Sequence, residues 1–408
     1  MALAGAAAAL PGAARAEGDS IWDMFARNRI LRGTDKQGNT AAAEAIIETI
    51  EPILSVDTAY NLQQAIALYE PFVAAGGWEL VPQEVFGLTL GNGRPAVVAL
   101  KRRLMSSGDM AYDGGGINDM FDDTTDQAVR KFQARHGLIV NGQVDEATYY
   151  AMIVPAETRL NQLKLNLQRV LTISEKLGDR YLVVNIPAAS IEAIEGSQVV
   201  QRHVAVVGRI DRQTPILHSK VQQINFNPYW HVPKSIIQKD LITYMNKDPN
   251  YLTEQRIRIY DAKGNELQPT DINWNSNEAV NYMFRQDPGA DNAMGHVKIN
   301  FPNPYDVYLH DTPEKSLFGE NSRFHSSGCM RVGQVQTLVA WILGPNGDWT
   351  LPDVEAAFST NERKDVQVKQ PTPIHTTYIT AWANRQNTVS FRDDVYQFDA
   401  QGKVTFDA

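Results

Sequence analysis

The sequence has very little cysteine: its 408 residues include one, Cys329. A disulfide within the chain needs two thiols, and the common structural zinc sites need several, so both are excluded. The 8 histidines form no closely spaced H-x-H or H-x-x-x-H pair either. We therefore expect no metal site and no cofactor.

The sequence also lacks an excess of positive charge. It holds 38 Lys and Arg against 47 Asp and Glu, which gives a formal net charge of −9. That balance argues against a nucleic-acid partner, which would need a basic surface. Hydrophobic residues make up 43% and charged residues 21% of the chain, as in globular proteins, and 408 residues predict two or three domains.

No apolar run approaches the 20 or so residues that cross a bilayer, so we expect no transmembrane segment. Residues 1–16 are rich in alanine and end in Ala-Arg-Ala, which fits the A-x-A cleavage site of a secretory signal. They are either the remnant of a signal peptide or a disordered, low-complexity tail. The first interpretation predicts an exported protein.

Hydrophobic spacing divides the chain into a helical half and a β half. Three- and four-residue spacing predicts helices over residues 40–70, three short helices between 95 and 155, and a helix over 156–178. From about residue 180 the apolar runs become β-branched and are bounded by proline and glycine, which predicts a mainly-β domain. A stretch over about 234–292, helical at its start and rich in turns, interrupts that domain as an insertion or lid.

Cys329 is the candidate nucleophile. It precedes a predicted helix over 332–343, and a helix N-terminus lowers the pKa of a nearby thiol and can hold an oxyanion. His310, at the end of a predicted strand, is the candidate base. Taken alone, each residue has an ordinary alternative: a lone cysteine is more often a buried apolar residue, and a histidine at a strand end is often only a satisfied polar group.

Residues 91–154 resemble a three-helix peptidoglycan-binding module. The residues that carry the resemblance include Phe132-Gln133, His136-Gly-Leu138, Gly142-Gln-Val144 and Thr148. The resemblance implies glycan strands as a partner of this segment. Modules of this type also serve as spacers, so the residues leave both roles open.

His310, fifteen intervening residues and the run Ser-Ser-Gly-Cys-Met-Arg over 326–331 resemble the active-site pattern of L,D-transpeptidases. Further similarity, over 225–236, 284–289, 292–295, 301–303, 309–313 and 378–382, is to the large exported murein enzymes. The resemblance implies an α+β multidomain chain with a mainly-β catalytic domain. We place a helical scaffold at 17–90 and 155–178, the catalytic domain at 179–350 with a helical capping insertion at about 234–292, and a C-terminal extension packed on it at 351–408.

The resemblance also implies roles for individual residues. Cys329 is the nucleophile, and His310 accepts its proton and later returns a proton to the leaving amine. The backbone carbonyl of Asp311 orients the imidazole, and Tyr308 orients substrate or contributes to the oxyanion hole. The N–H groups of Gly328 and Cys329 are the expected oxyanion donors.

Four other positions have open roles. Ser327 stands where the broad family often has histidine, although the large murein enzymes commonly have serine there. Arg331 pairs either with a substrate carboxylate or with a structural carboxylate. Trp230 and Tyr229 line a substrate groove or belong to an aromatic core.

Together these implications predict a periplasmic enzyme of a Gram-negative bacterium that joins two peptidoglycan stem peptides, a donor and an acceptor. The product is a cross-link between diaminopimelate residues, and carbapenems acylate Cys329 as inhibitors. The alternative is a peptidoglycan-binding adaptor with an inactive catalytic domain. A papain-like thiol hydrolase has little support, because here the histidine precedes the cysteine by nineteen positions.

Overall fold

A computed structural model describes residues 49–112 and 114–406. The predicted signal remnant at 1–16 and residues 17–48 of the first scaffold segment lie outside the described residues. Within the described part, no helix is both long enough and apolar enough to cross a membrane.

The helices fall into an N-terminal group, a group within the insertion and a C-terminal pair. They are α1 Val56–Ala74, α2 Ala96–Ser106, α3 Asp123–Arg135, α4 Glu146–Met152, α5 Ala156–Ser174, α6 Lys234–Ile236, α7 Ile242–Lys247, α8 Tyr251–Glu254, α9 Val335–Leu343 and α10 Leu351–Ser359. A π-helical segment, Ile237–Leu241, joins α6 to α7, and 3₁₀ turns lie at Gln83–Val85, Pro269–Asp271, Asn277–Asn281, Lys315–Gly319 and Gly344–Asn346.

Helices α1 and α5 pack together and share a core with strands of the β domain. Ser55 begins α1, because its hydroxyl accepts a hydrogen bond from the Thr58 N–H. The helix predicted over 156–178 ends earlier, at Ser174, where the Lys176 N–H bonds back to the Ile173 carbonyl and tightens the turn.

Helices α2, α3 and α4 form a compact module with its own buried core, which includes Val129 and Phe132. Asp122 begins α3 and Asp145 begins α4, each accepting a hydrogen bond from a threonine N–H three residues later. The Asp122 carboxylate accepts hydrogen bonds from both the N–H and the hydroxyl of Thr125.

The β domain is a barrel. Nine strands follow the order β11-β3-β12-β10-β9-β4-β13-β1-β2, and β2 pairs back with β3 to close the ring. The barrel strands are β1 Arg180–Asn185, β2 Ser190–Glu195, β3 Gln198–Gly208, β4 His218–Phe226, β9 Val297–Asn300, β10 Leu309–His310, β11 Phe324–Ser326, β12 Met330–Val332 and β13 Lys364–Thr377. The prediction of a mainly-β catalytic domain beside helical regions is confirmed.

The predicted end of the catalytic domain at residue 350 is wrong. Strand β13 lies inside the sheet, where it pairs in parallel with β1 and in antiparallel fashion with β4. The segment 351–408 is therefore not only an extension on the domain surface. It supplies a strand to the barrel and, after it, the two-stranded sheet of β14 Ala381–Ala383 and β15 Val389–Phe391.

The insertion has its own hydrophobic core, which includes Trp230, Leu252 and Phe284. Besides α6, α7 and α8 it holds a four-stranded sheet of β5 Trp230–His231, β6 Ile257–Tyr260, β7 Glu266–Leu267 and β8 Met283–Gln286. The prediction of a helical insertion is therefore corrected to a mixed α/β one. The Asn- and Asp-rich turns had hidden its short strands, of two to four residues each.

Candidate active site

Two short parallel strands place the predicted catalytic residues side by side. Leu309 of β10 pairs with Met330 of β12, and His310 pairs with Arg331. Leu309 and Met330 are fully buried in the barrel core. Because side chains alternate along a strand, His310 and Arg331 project from the opposite face. Tyr308 directly precedes Leu309 and Cys329 directly precedes Met330, so both lie on the same side as His310 and Arg331.

The backbone around Cys329 is held by side chains within and beside the loop. The Ser326 hydroxyl bonds the Cys329 carbonyl and also accepts the Gly328 N–H at 3.2 Å. Thr214 donates its hydroxyl to the Gly328 carbonyl at 2.9 Å. Gly328 has φ +115°, a conformation that other residues adopt only with strain.

These bonds change the expected oxyanion hole. The Gly328 N–H already donates to Ser326, so the prediction that it serves as an oxyanion donor is not supported by this geometry. Among the described residues, none accepts a hydrogen bond from the Cys329 N–H. That group and the Tyr308 hydroxyl are therefore the candidate oxyanion donors.

The expected helix N-terminus at Cys329 is wrong. Strand β12 follows the cysteine directly, and α9 begins only at Val335. The pKa of the Cys329 thiol is raised by burial, against the lowering effect of hydrogen bonds from Tyr308 and of the charges of Lys298 and Arg331. At neutral pH the resting nucleophile is therefore a protonated thiol.

His310 is poised as a neutral base. Its Nδ1 lies 2.5 Å from the Asp311 carbonyl oxygen, which can only accept a hydrogen bond, so Nδ1 carries the proton and Nε2 is left as the acceptor. Burial and then the charge of Arg331 lower the pKa of His310 to about 3. A neutral imidazole on the strand next to the nucleophile loop has the protonation state needed to take the thiol proton as attack begins.

The Asp311 carboxylate has a structural role of its own. It accepts the His296 N–H at 2.9 Å and pairs with Lys315. A Cβ at Gly295 would lie 2.3 Å from this carboxylate, so glycine is required there for the close approach. The side chain thus fixes the backbone whose carbonyl orients His310.

Tyr308 connects the thiol to the capping insertion. Its N–H and its hydroxyl donate hydrogen bonds to the Cys329 sulfur, and its hydroxyl accepts one from Trp230. Trp230 is 4% exposed and packs in the core of the insertion, which supports the core-packing interpretation for this residue. Tyr229 instead lies between the guanidinium groups of Arg285 and Arg363, at 4.2 and 4.4 Å.

Lys298 belongs to the site although the sequence analysis did not select it. It stands opposite His310 on β9, and its ammonium lies 4.2 Å from the centre of the Tyr308 ring. Burial lowers the pKa of Lys298, and the Cys329 sulfur raises it. One signal was available: Lys298 is a polar position in a strand whose neighbours Val297 and Ile299 are fully buried.

Replacing Lys298 with methionine should raise the thiol pKa by about one unit, because an opposite charge within a few ångströms favours the thiolate. Alkylation by iodoacetamide requires the thiolate, so its rate should rise about tenfold per pH unit below that pKa. The Lys298→Met profile should then lie about one unit higher on the pH axis than the native profile. Lys220→Met, an exposed change on the adjacent strand β4, is the control, and coincident native and Lys298→Met profiles would contradict the role.

Arg331 forms a buried ion pair. It is 2% exposed and bonds Glu314, which is 1% exposed. Of the two roles left open, the geometry favours the structural pair over a substrate contact. Nothing near Glu314 in the sequence marks it as the partner, because the pair joins a 3₁₀ turn to β12.

Replacing Glu314 with alanine should lower the free energy of unfolding by about 3–5 kcal/mol, since it leaves a buried guanidinium without a counter-charge. Urea denaturation measures the change. Glu70→Ala, which breaks the exposed Glu70–Lys164 pair, should cost at most about 1 kcal/mol. The double variant Glu314→Leu, Arg331→Met should recover most of the loss, and a cost below 1 kcal/mol for Glu314→Ala would contradict the assignment.

Ser327 joins the nucleophile loop to the insertion through one arginine. Arg212 donates to the Ser327 hydroxyl at 3.0 Å and to the two carboxylate oxygens of Asp240 at 2.6 and 2.8 Å. Asp240 lies in the π-helical segment of the insertion. This link positions the insertion next to the loop that carries Cys329, and no local sequence pattern indicates it.

Across the described residues, no cluster of three or more His, Cys, Asp or Glu side chains could hold a metal ion. The chemistry that this site can support is therefore built from a thiol, an imidazole, a phenol and a nearby ammonium group. Such a set suits transfer of an acyl group through a thioester.

Comparison with known families agrees with this description. Residues 179–375 match the YkuD family, the L,D-transpeptidase catalytic domain, and residues 93–152 match a family described as "Putative peptidoglycan binding domain". The barrel with its insertion is therefore similar to L,D-transpeptidase catalytic domains, and the three-helix module is similar to peptidoglycan-binding domains. Both resemblances stated from the sequence are confirmed.

A curated relative is the "Putative L,D-transpeptidase" of Haemophilus influenzae, which is 32% identical over 254 residues. The match covers 61% of this chain and 51% of the relative, so the chain spans about half the length of that protein.

Two solved structures carry related names but are distant. The L,D-transpeptidase of Xylanimonas cellulosilytica is 14% identical, with a TM-score of 0.23, over 72% of this chain and 98% of its own. L,D-transpeptidase 3 of Mycobacterium tuberculosis, in complex with a faropenem-derived adduct, is 12% identical, with a TM-score of 0.23, over 49% of this chain and 60% of its own. At these scores neither structure carries an argument about this site.

Proposed function

We propose that the chain is an L,D-transpeptidase that cross-links peptidoglycan with Cys329 as its nucleophile. The observation that carries the proposal is the placement of Cys329, directly before β12, next to the strand β10 that carries His310, with the imidazole proton fixed on Nδ1 by the Asp311 carbonyl. Nε2 is then free to accept the thiol proton. The family of the barrel supplies the substrate class.

The reaction has two halves. The Cys329 sulfur attacks the carbonyl of the third residue of a donor tetrapeptide stem while His310 takes the thiol proton. The tetrahedral oxyanion is held by the Cys329 N–H and the Tyr308 hydroxyl. His310 then protonates the leaving D-alanine amine, and the C–N bond breaks to give a thioester.

In the second half, an amine of a second stem attacks the thioester and His310 accepts a proton from it. The thiolate leaves and is reprotonated, and a cross-link between two diaminopimelate residues is formed. Water competes with the amine, so the insertion packed over Tyr308 would favour transfer by limiting water at the thioester. Carbapenems would acylate the same sulfur.

Two further elements complete the proposal. The module of residues 91–154 would hold the enzyme on peptidoglycan, whose glycan strands are the partner expected from its family. The protein would act after export, in the periplasm of a Gram-negative bacterium, because its substrate is found there.

The test is to incubate the native protein with purified disaccharide-tetrapeptide and to follow the products by mass spectrometry. Release of D-alanine together with a dimer joined through two diaminopimelate residues is the expected result. Intact muropeptide after prolonged incubation, with binding to insoluble peptidoglycan retained, would overturn the proposal in favour of the inactive adaptor. Release of D-alanine without a dimer would instead indicate a carboxypeptidase.

A further inference from the structure

A cavity lies away from Cys329, where the three-helix module meets the barrel. Its volume is about 150 Å³, roughly ten times what a single water molecule needs. One wall is formed by Leu138 of the module, a second by Phe318 and Arg323 near β11, and a third by Trp382 and Arg392 of the C-terminal segment. The cavity is therefore built from three separate parts of the chain.

Two arginines of this cavity make hydrogen bonds only to carbonyl oxygens. Arg323 donates to the carbonyls of Glu320 and Ala188, and Arg392 donates to those of Arg135 and Phe391. The Nε atoms of both arginines are buried and have no hydrogen-bond partner within the described structure. The hydroxyl of Ser190, a third lining residue, is also buried and unpartnered.

The charges of these two arginines are not balanced by ion pairs. Among the described residues, no carboxylate lies within salt-bridge distance of Arg323 or Arg392. Burial lowers the pKa of Arg323 to about 10, and burial together with the charge of Arg323 lowers the pKa of Arg392 to about 9. Two guanidinium groups that repel each other in a desolvated cavity favour an anion between them.

The remaining charged residues of the cavity do not supply that anion. Glu192 is paired with Arg202 at 3.0 Å, and Glu320 accepts from His325 at 3.0 Å on the exposed side. Asp393 raises the pKa of Arg392 without forming an ion pair with it. Three arginines and two glutamates line the cavity. The lining therefore has an excess of one positive charge.

We propose that this cavity is a second ligand site, which binds the terminal carboxylate of a peptidoglycan stem peptide between Arg323 and Arg392. A planar guanidinium matches a carboxylate in geometry, and the apolar walls of Leu138, Phe318 and Trp382 suit the methyl group of a terminal alanine. The identity of the peptide rests on the proposed function. The evidence for a ligand site in the cavity is independent of that function and comes from the two arginines without ion pairs.

Gly137 of the module leaves room for the side chain of Arg392. It has φ +69°, and a Cβ there would lie 2.4 Å from the Arg392 Nε. The glycine of the module therefore lets the guanidinium reach the junction. Occupancy of the cavity would bridge the module and the barrel, so that one strand of peptidoglycan is held next to the catalytic domain.

Calorimetric titration of disaccharide-tetrapeptide into the full Cys329→Ala chain tests the proposal, because that variant cannot turn the ligand over. We expect two sites per chain, one of which disappears or weakens at least tenfold in Arg323→Gln and in Arg392→Gln. Arg258→Gln, a half-exposed arginine of the insertion, should leave both sites unchanged. A tetrapeptide with an amidated C-terminus should not bind at the same site of the Cys329→Ala chain. This measurement does not depend on the folding of an arginine variant.

The outcomes separate the two proposals. A single site that is lost in the arginine variants supports the cavity and counts against the catalytic proposal. A single site that both arginine variants retain overturns the cavity. Inorganic phosphate that competes as well as the tetrapeptide would show a general anion site and would overturn the stem-peptide assignment.

Discussion

Replacing Cys329 with alanine should abolish D-alanine release and cross-link formation, a loss of at least about a thousandfold. The chain has no other thiol that could substitute. The fold should be kept, because Ser326 and Thr214 hold the loop through its backbone and not through the sulfur. The same variant should lose the single covalent adduct that a carbapenem forms with the native chain, as measured by intact mass.

Ser322→Ala, an exposed change seven residues earlier in the chain, is the matched control and should retain both activity and adduct. An adduct that persists on Cys329→Ala would show that the carbapenem modifies another group. Cross-linking that persists would remove Cys329 from the mechanism altogether.

Replacing His310 with glutamine should lower kcat by about 10²–10⁴-fold at neutral pH, the usual contribution of a general base. The thiol pKa is raised by burial, so little thiolate exists without a group that takes the proton. The amide N–H of glutamine can donate a hydrogen bond as the imidazole Nδ1–H does. Glutamine has no nitrogen that can accept the thiol proton. The rate of D-alanine release from disaccharide-tetrapeptide measures the effect.

The pH dependence distinguishes a base from a merely structural residue. As the pH rises toward the thiol pKa, hydroxide generates thiolate in both proteins, so the rate of D-alanine release by His310→Gln should rise toward the native rate. His325→Gln, a histidine outside the site that bonds Glu320, should behave as native throughout. A deficit in kcat below tenfold at pH 7 would show that another group accepts the proton.

A protonated resting thiol has a consequence for the chemical stability of the nucleophile. Oxidation of cysteine proceeds through the thiolate, so a raised pKa slows the loss of the nucleophile in oxidising surroundings. The pKa of His310 is lowered to about 3, so the imidazole is uncharged at neutral pH and does not stabilise a thiolate in the resting state. The thiolate is needed only when substrate is bound.

Cys329 and His310 could be selected from the sequence as candidates because their signal is local. His310 ends a strand, Cys329 follows two small residues, and the spacing between them matches a known pattern. The buried partner of Arg331 could not be found this way, since Glu314 lies seventeen positions away in a turn without any pattern of its own. Lys298 was visible only as a polar residue in an otherwise buried strand.

The same distinction applies to the fold. The helices of the module were predictable because hydrophobic spacing is a local signal, repeated from one turn of helix to the next. The place of β13 in the sheet was not, because it depends on pairing with β1, nearly two hundred residues earlier. The thiol pKa was misjudged for a related reason: strand β12, not a helix, follows Cys329.

The position of β13 sets an order of events for the chain as it is made. Strands β1 and β4 expose unpaired edges until Lys364–Thr377 has been synthesised, so the barrel cannot close on a growing polypeptide. The loop that carries Cys329 is supported by Thr214, whose N–H bonds the hydroxyl of Tyr396, beyond β13. The supported form of the Cys329 loop is thus assembled only after Tyr396 has been synthesised, which delays the appearance of activity until that point in synthesis.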